Sequence, residues 1–103
     1  MKKLMFVLCI LGLSTAVSAA EFTVGQKDKK FTETELNVSV GDTVNFRNDD
    51  PFSHNVYSLS EVKSFDLGSY PKGEARSVTF DKAGVVEVGC AIHFDMAMII
   101  NVK

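Results

Sequence analysis

Three side chains that suit a soft metal fall within seven positions near the end of the sequence: Cys90, His93 and Met96. They lie between two apolar, strand-like runs, Val85–Val88 and Met98–Val102, on a stretch short enough to be a tight loop. Thiolate, imidazole and thioether together are a donor set that copper prefers, and a flattened Cys-His-His site with a long axial Met is an electron-transfer arrangement. Such a site needs a second imidazole. The sequence holds only two histidines, so the other donor must be His54. Zinc accepts Cys and His as well, so a zinc-binding structural module is the competing reading of the same residues.

The elements that would position these donors begin after residue 20. Lys2 and Lys3, the apolar run Leu4–Leu13 and the small residues Ser14–Ala20 have the form of a secretory signal peptide, too short for a membrane span. Ser18-Ala19-Ala20 favours cleavage before Glu21, and a cut one residue earlier fits nearly as well. Removal takes Cys9 with it and leaves Cys90 alone, so no intrachain disulfide is possible. Lys2 and Lys3 leave too, so 11 Lys+Arg become 9 against 13 Asp+Glu, a net charge of −4. Residues 21–103 therefore read as one small domain. A chain of that size buries little core and is commonly stapled by disulfides or a metal. Nothing basic suggests nucleic acid, and no amphipathic helix suggests membrane binding. The expected product is a periplasmic monomer.

Alternation of apolar and polar residues marks the strands. Phe22–Val24 is a short one. Leu36–Val40 and Thr43–Arg47 alternate on either side of Gly41-Asp42 and read as a hairpin or close strand pair. Asn48–Pro51 breaks the pattern, and His54–Ser58 resumes it with His54 at its start. Leu59–Tyr70 reads mostly as loop. Ala75–Phe80, Val85–Val88 and Met98–Val102 complete seven or eight strands with no convincing helix, an all-β, Greek-key antiparallel sandwich. His54 lies 36 residues before Cys90, so only loops gathered at one end of such a sandwich can bring them together.

In three blocks the chain resembles the cupredoxins, the single-domain blue-copper proteins. These are Leu36–Asn48 preceded by Phe31, then His54-Asn55-Val56, then Cys90-x-x-His93-x-x-Met96. Within the family it is most similar to amicyanin and its small relatives from methylamine-utilisation systems. The resemblance implies one copper per chain, cycling between Cu(II) and Cu(I), with His54, Cys90 and His93 as ligands and Met96 as the weak axial one. Met98 stands where longer-loop members carry that ligand. Parity cannot separate the two methionines, and the longer tail left for strand closure favours Met96. Asn55 is expected to tie the His54 strand to the Cys90 loop, and the Ser53 carbonyl to approach from the far axial side. Where many members have Pro, this chain has Ile92 and Phe94. Ile92 thereby keeps an N–H that is a candidate donor to the thiolate.

The resemblance implies an electron shuttle and not an enzyme, exchanging electrons with redox partner proteins that dock near His93 against Phe52 and Phe94. Asp49, Asp50 and Asp95 read as charge on the solvated rim. The alternative within the same ligand set is a copper-binding protein for tolerance or delivery.

Overall fold

The computed structural model of the protein describes residues 19–103. The signal-peptide reading of residues 1–20 thus lies outside the described residues, apart from Ala19 and Ala20. The described residues form nine strands and no helix: β1 (Glu21–Lys27), β2 (Lys30–Phe31), β3 (Glu35–Val38), β4 (Thr43–Asn48), β5 (His54–Ser60), β6 (Lys63–Tyr70), β7 (Ala75–Thr79), β8 (Gly84–Gly89) and β9 (Ala97–Val102). They make two sheets, ordered β2-β1-β4-β7 and β3-β9-β8-β5-β6.

Successive side chains on a strand face opposite ways, so each alternating run delivers one inward row. Val44, Phe46 and Asn48 are buried along β4; Val86 and Val88 along β8; Met98, Ile100 and Val102 along β9. These rows meet in a core of Val24, Val56, Tyr70, Val78 and Phe80, with Phe31, Phe46 and Phe65 in edge and tilted ring contacts.

The all-β sandwich agrees with the alternation, but two pairings are parallel, β1 with β4 and β3 with β9. The arrangement is therefore mixed and not wholly antiparallel. The runs around Gly41-Asp42 are not a hairpin, since β3 and β4 belong to different sheets. Asp42 makes the corner. Its carboxylate accepts the N–H groups of Ser39 and Ala20, at 2.8 and 2.9 Å, and Gly41 takes φ +99°. Leu59–Tyr70 is not a loop but the end of β5 and all of β6, paired antiparallel. Its apparent irregularity is a register shift between Asn55 and Tyr57. Opposite that shift Gly68 has φ +76°, the left-handed conformation a bulge commonly uses.

Asp42 also reaches the start of the sandwich, because Thr43 N–H donates to the Ala20 carbonyl at 3.0 Å. The Ala20 and Ser39 N–H groups hold the Asp42 carboxyl below its ordinary range, against a smaller upward push from burial. A depressed folded pKa contributes stability above the unfolded value, and that stability is lost as pH falls through the folded one. A chain beginning at Ala20 should therefore melt above one beginning at Glu21 at about pH 7, with the gap narrowing by about pH 2. Equal melting temperatures at both pH values would show that the contact contributes nothing.

Candidate metal centre

Three neighbouring strands converge on one end of the five-stranded sheet. Because β5, β8 and β9 alternate in direction, the start of β5, the end of β8 and the start of β9 lie side by side. Their inward rows end there as His54 ahead of Val56, Cys90 beyond Val88, and Met96 ahead of Met98, all buried. The last ladder pair of β8 and β9 is Gly89 with Ala97, and the next residue beyond each strand is Cys90 on one side and Met96 on the other. Met98 pairs with Val88, one inward position deeper in the strand and within the core. His93 comes from the turn between them, whose carbonyl accepts the Met96 N–H at 2.8 Å.

The ligand atoms of His54, Cys90 and His93 all lie within 4.8 Å of one another. Cys90 Sγ is 3.7 Å from His54 Nδ1 and 4.0 Å from His93 Nδ1. Nitrogen at about 2.0 Å and sulfur at about 2.3 Å from a shared ion, spread by roughly 120°, stand about 3.7 Å apart. The two sulfur–nitrogen distances are therefore close to those of donors that share one metal ion. His54 and Cys90 are wholly enclosed, whereas His93 is half-buried. Phe52 packs against both imidazoles, its ring centroid 5.4 Å from each.

Around the donors, Asn55 ties strand to loop, its Oδ1 accepting the Ala91 N–H at 3.1 Å and its Nδ2 donating to Asp66 at 3.1 Å. The backbone N–H that reaches the Cys90 sulfur belongs to Asn55, at 3.4 Å. Among the described residues Ile92 makes no such bond, and its side chain lies half exposed beside Phe94. Ser53 is exposed, immediately before β5.

The three rim aspartates separate. Asp95 is exposed, and Asp49 pairs with Arg47 at 2.9 Å on the surface. Asp50 is only 2% exposed, and its Oδ2 sits 2.6 Å from His54 Nε2. Its carboxylate also accepts the N–H groups of Asp28 and Lys29, at 2.7 and 3.0 Å. Burial pushes this carboxyl upward, but the bonds from His54, Lys29 and Asp28 outweigh it and hold the group below the ordinary carboxylate range. Sequence reasoning missed this residue because an acid in a Pro-containing break is ordinarily solvated. Its spacing four residues before His54 was the one available signal.

Asn48 shapes the segment that carries these groups. Fully buried, it donates to the carbonyls of Phe52 and Tyr70, at 2.8 and 2.9 Å, and accepts the Asp50 N–H at 2.8 Å. Gly25 lets the segment lie against β1, since a Cβ there would stand 2.9 Å from Asp49 Oδ2.

The sequence profile of copper-binding proteins of the plastocyanin/azurin family matches residues 18–103. Amicyanin from Paracoccus denitrificans is 36% identical over 67 residues, covering 62% of this chain and 51% of that protein. The chain thus spans about half the length of the curated relative it matches. In structure it is similar to a reduced amicyanin variant, with 30% identity, a TM-score of 0.76, and coverage of 84% of this chain and 86% of that one. A copper-containing nitrite reductase from Thermus scotoductus is similar over 85% of this chain but only 23% of its own, with 28% identity and a TM-score of 0.76.

Replacing Asn48 by Ala removes three bonds and strands buried backbone groups. It should cost about 3 kcal/mol in chemical denaturation, and a loss under about 0.5 kcal/mol would mean that water replaces the side chain.

Proposed function

The chain belongs to the copper-binding plastocyanin/azurin family, and from that premise we propose that it is a type 1 copper protein carrying single electrons between redox partners in the periplasm. The observation that carries this reading is a closed donor set with one outward edge: His54 and Cys90 are enclosed while His93 is half-buried at the surface. Bound copper supplies the one-electron couple between Cu(II) and Cu(I).

The protein's own residues do the rest. His54 and Cys90 are fixed at the ends of paired strands, so they hold the same positions whatever the charge at the centre. Phe52 and the core beneath keep water from the donors. Met96, buried just before β9 as Cys90 is just after β8, would supply the thioether to the ion in this reading, and Met98 is core packing. His93 offers the edge at which a docked partner exchanges the electron. Beside it Phe94 is 88% exposed and Ile92 51%, and both line one surface hollow with His93; exposed apolar side chains grouped in this way suit partner contact. Export through residues 1–20, action as a monomer and the redox partners themselves belong to the same proposal. Copper tolerance or delivery would use these ligands too, but enclosure of two of the three core donors favours retention over hand-off.

The copper-loaded chain should show an intense visible band and a narrow type 1 EPR pattern, and a colourless product would refute the reading. Met96→Leu should shift both spectra. Met98→Leu should leave them in place and cost about 1 kcal/mol of stability; the reverse outcome would make Met98 the axial ligand. Phe94→Glu should slow electron self-exchange between copies roughly tenfold, through like charges meeting at the contact, while leaving the reduction potential unchanged. An undiminished rate, measured by NMR line broadening, would move docking away from this rim.

A further inference from the structure

We propose that Asp50 is a positioning residue for the copper centre, one that holds a proton on His54 Nε2, keeps Nδ1 aimed at Cys90 and lowers the reduction potential. This rests on the copper reading above. His54 is fully buried and both of its ring nitrogens are engaged, Nδ1 at 3.7 Å from the Cys90 sulfur and Nε2 at 2.6 Å from Asp50 Oδ2. Each Asp50 oxygen already accepts a backbone N–H, Oδ1 from Asp28 and Oδ2 from Lys29, as a carboxylate does, which assigns the donor role in the third bond to Nε2. The lone pair of Nδ1 is then left to face the metal position. A carboxylate behind a metal-bound imidazole also raises its basicity.

The carboxylate is itself built into place. Asp28 and Lys29 form the two-residue turn between β1 and β2, with φ of +55° and +60°. Both central residues of such a turn need positive φ, a conformation disfavoured for a residue that carries a side chain. The strain orients two N–H groups onto Asp50, one on each oxygen side, at 2.7 and 3.0 Å. The neighbouring Asp50 N–H is meanwhile fixed by Asn48. Orientation alone would need only a neutral acceptor, but a carboxylate brings a full negative charge. Among the described residues no Lys or Arg pairs with it, and its side-chain partner is the His54 ring. A buried charge so placed is weakly screened and favours the more positive state of the metal.

Asp50→Asn keeps the shape and an acceptor and removes the charge. In the copper-loaded protein it should weaken the preference for Cu(II) over Cu(I) at least about tenfold, read as an upward shift of about 59 mV for a one-electron couple. The visible band should be retained. A retained band with an unmoved potential would overturn the tuning role. Independently of copper, the unaltered apoprotein at about pH 7 should show a slowly exchanging His54 Nε2 proton in nitrogen-edited NMR, protected by its buried partner. A neutral ring protonated at Nδ1, or an Nε2 proton exchanging as fast as that of His93, would overturn the positioning role. Should D50N fail to fold, this apoprotein spectrum alone decides. If the unaltered chain takes up no copper, the electron-carrier reading fails while the proton signal still judges the Asp50–His54 bond.

Discussion

Alternating strand direction in one sheet is the constraint from which the centre follows. β5, β8 and β9 are neighbours running in opposite senses, so a start, an end and a start share one rim. Side chains repeat every second residue, and the row that fills the core therefore ends on that rim as His54, Cys90 and Met96. No special device is required to point them inward, because the same parity that buries Val56, Val88 and Met98 buries these three as well. A one-residue slip of β8 against β9 would turn the Cys90 side outward and expose core residues at the same time. Core and centre are specified by one register.

Around that register the chain adds rigidity from outside the sheet. Asn48 and Asn55 each bond across elements distant in sequence, the first closing the segment before His54 and the second joining it to the loop after Cys90. Asp50 extends the connection to the β1–β2 turn in the other sheet. A donor set held from both sheets moves little when its charge changes, which is what rapid one-electron exchange requires.

Much of this was legible in the sequence, because period-two alternation and ligand spacing are local properties. Val44 and Phe46 announced β4, and the Cys90–His93–Met96 spacing announced the loop. What was not legible depends on distant partners. Whether Leu36–Val38 pairs with its neighbour in sequence or with β9 is decided by the corner at Asp42. The hairpin of β5 and β6 hides behind a bulge that interrupts its period. Met96 and Met98 share a face, and only their level relative to Gly89 and Cys90 separates them. Asp50 looked like a turn acid because two of the groups that hold its carboxylate, the Asp28 and Lys29 N–H groups, lie more than twenty positions earlier, beyond the reach of local pattern.

The placement of β9 carries a kinetic consequence. It follows every other strand in chain order, yet it lies between β3 and β8 and pairs with both. The larger sheet cannot close before that segment is in place, since its gap is flanked by strands with nothing to join them. Such long-range closure is slow, and it makes a partial chain a poor trap for metal. Copper capture is thereby deferred until the ninth strand has docked between β3 and β8.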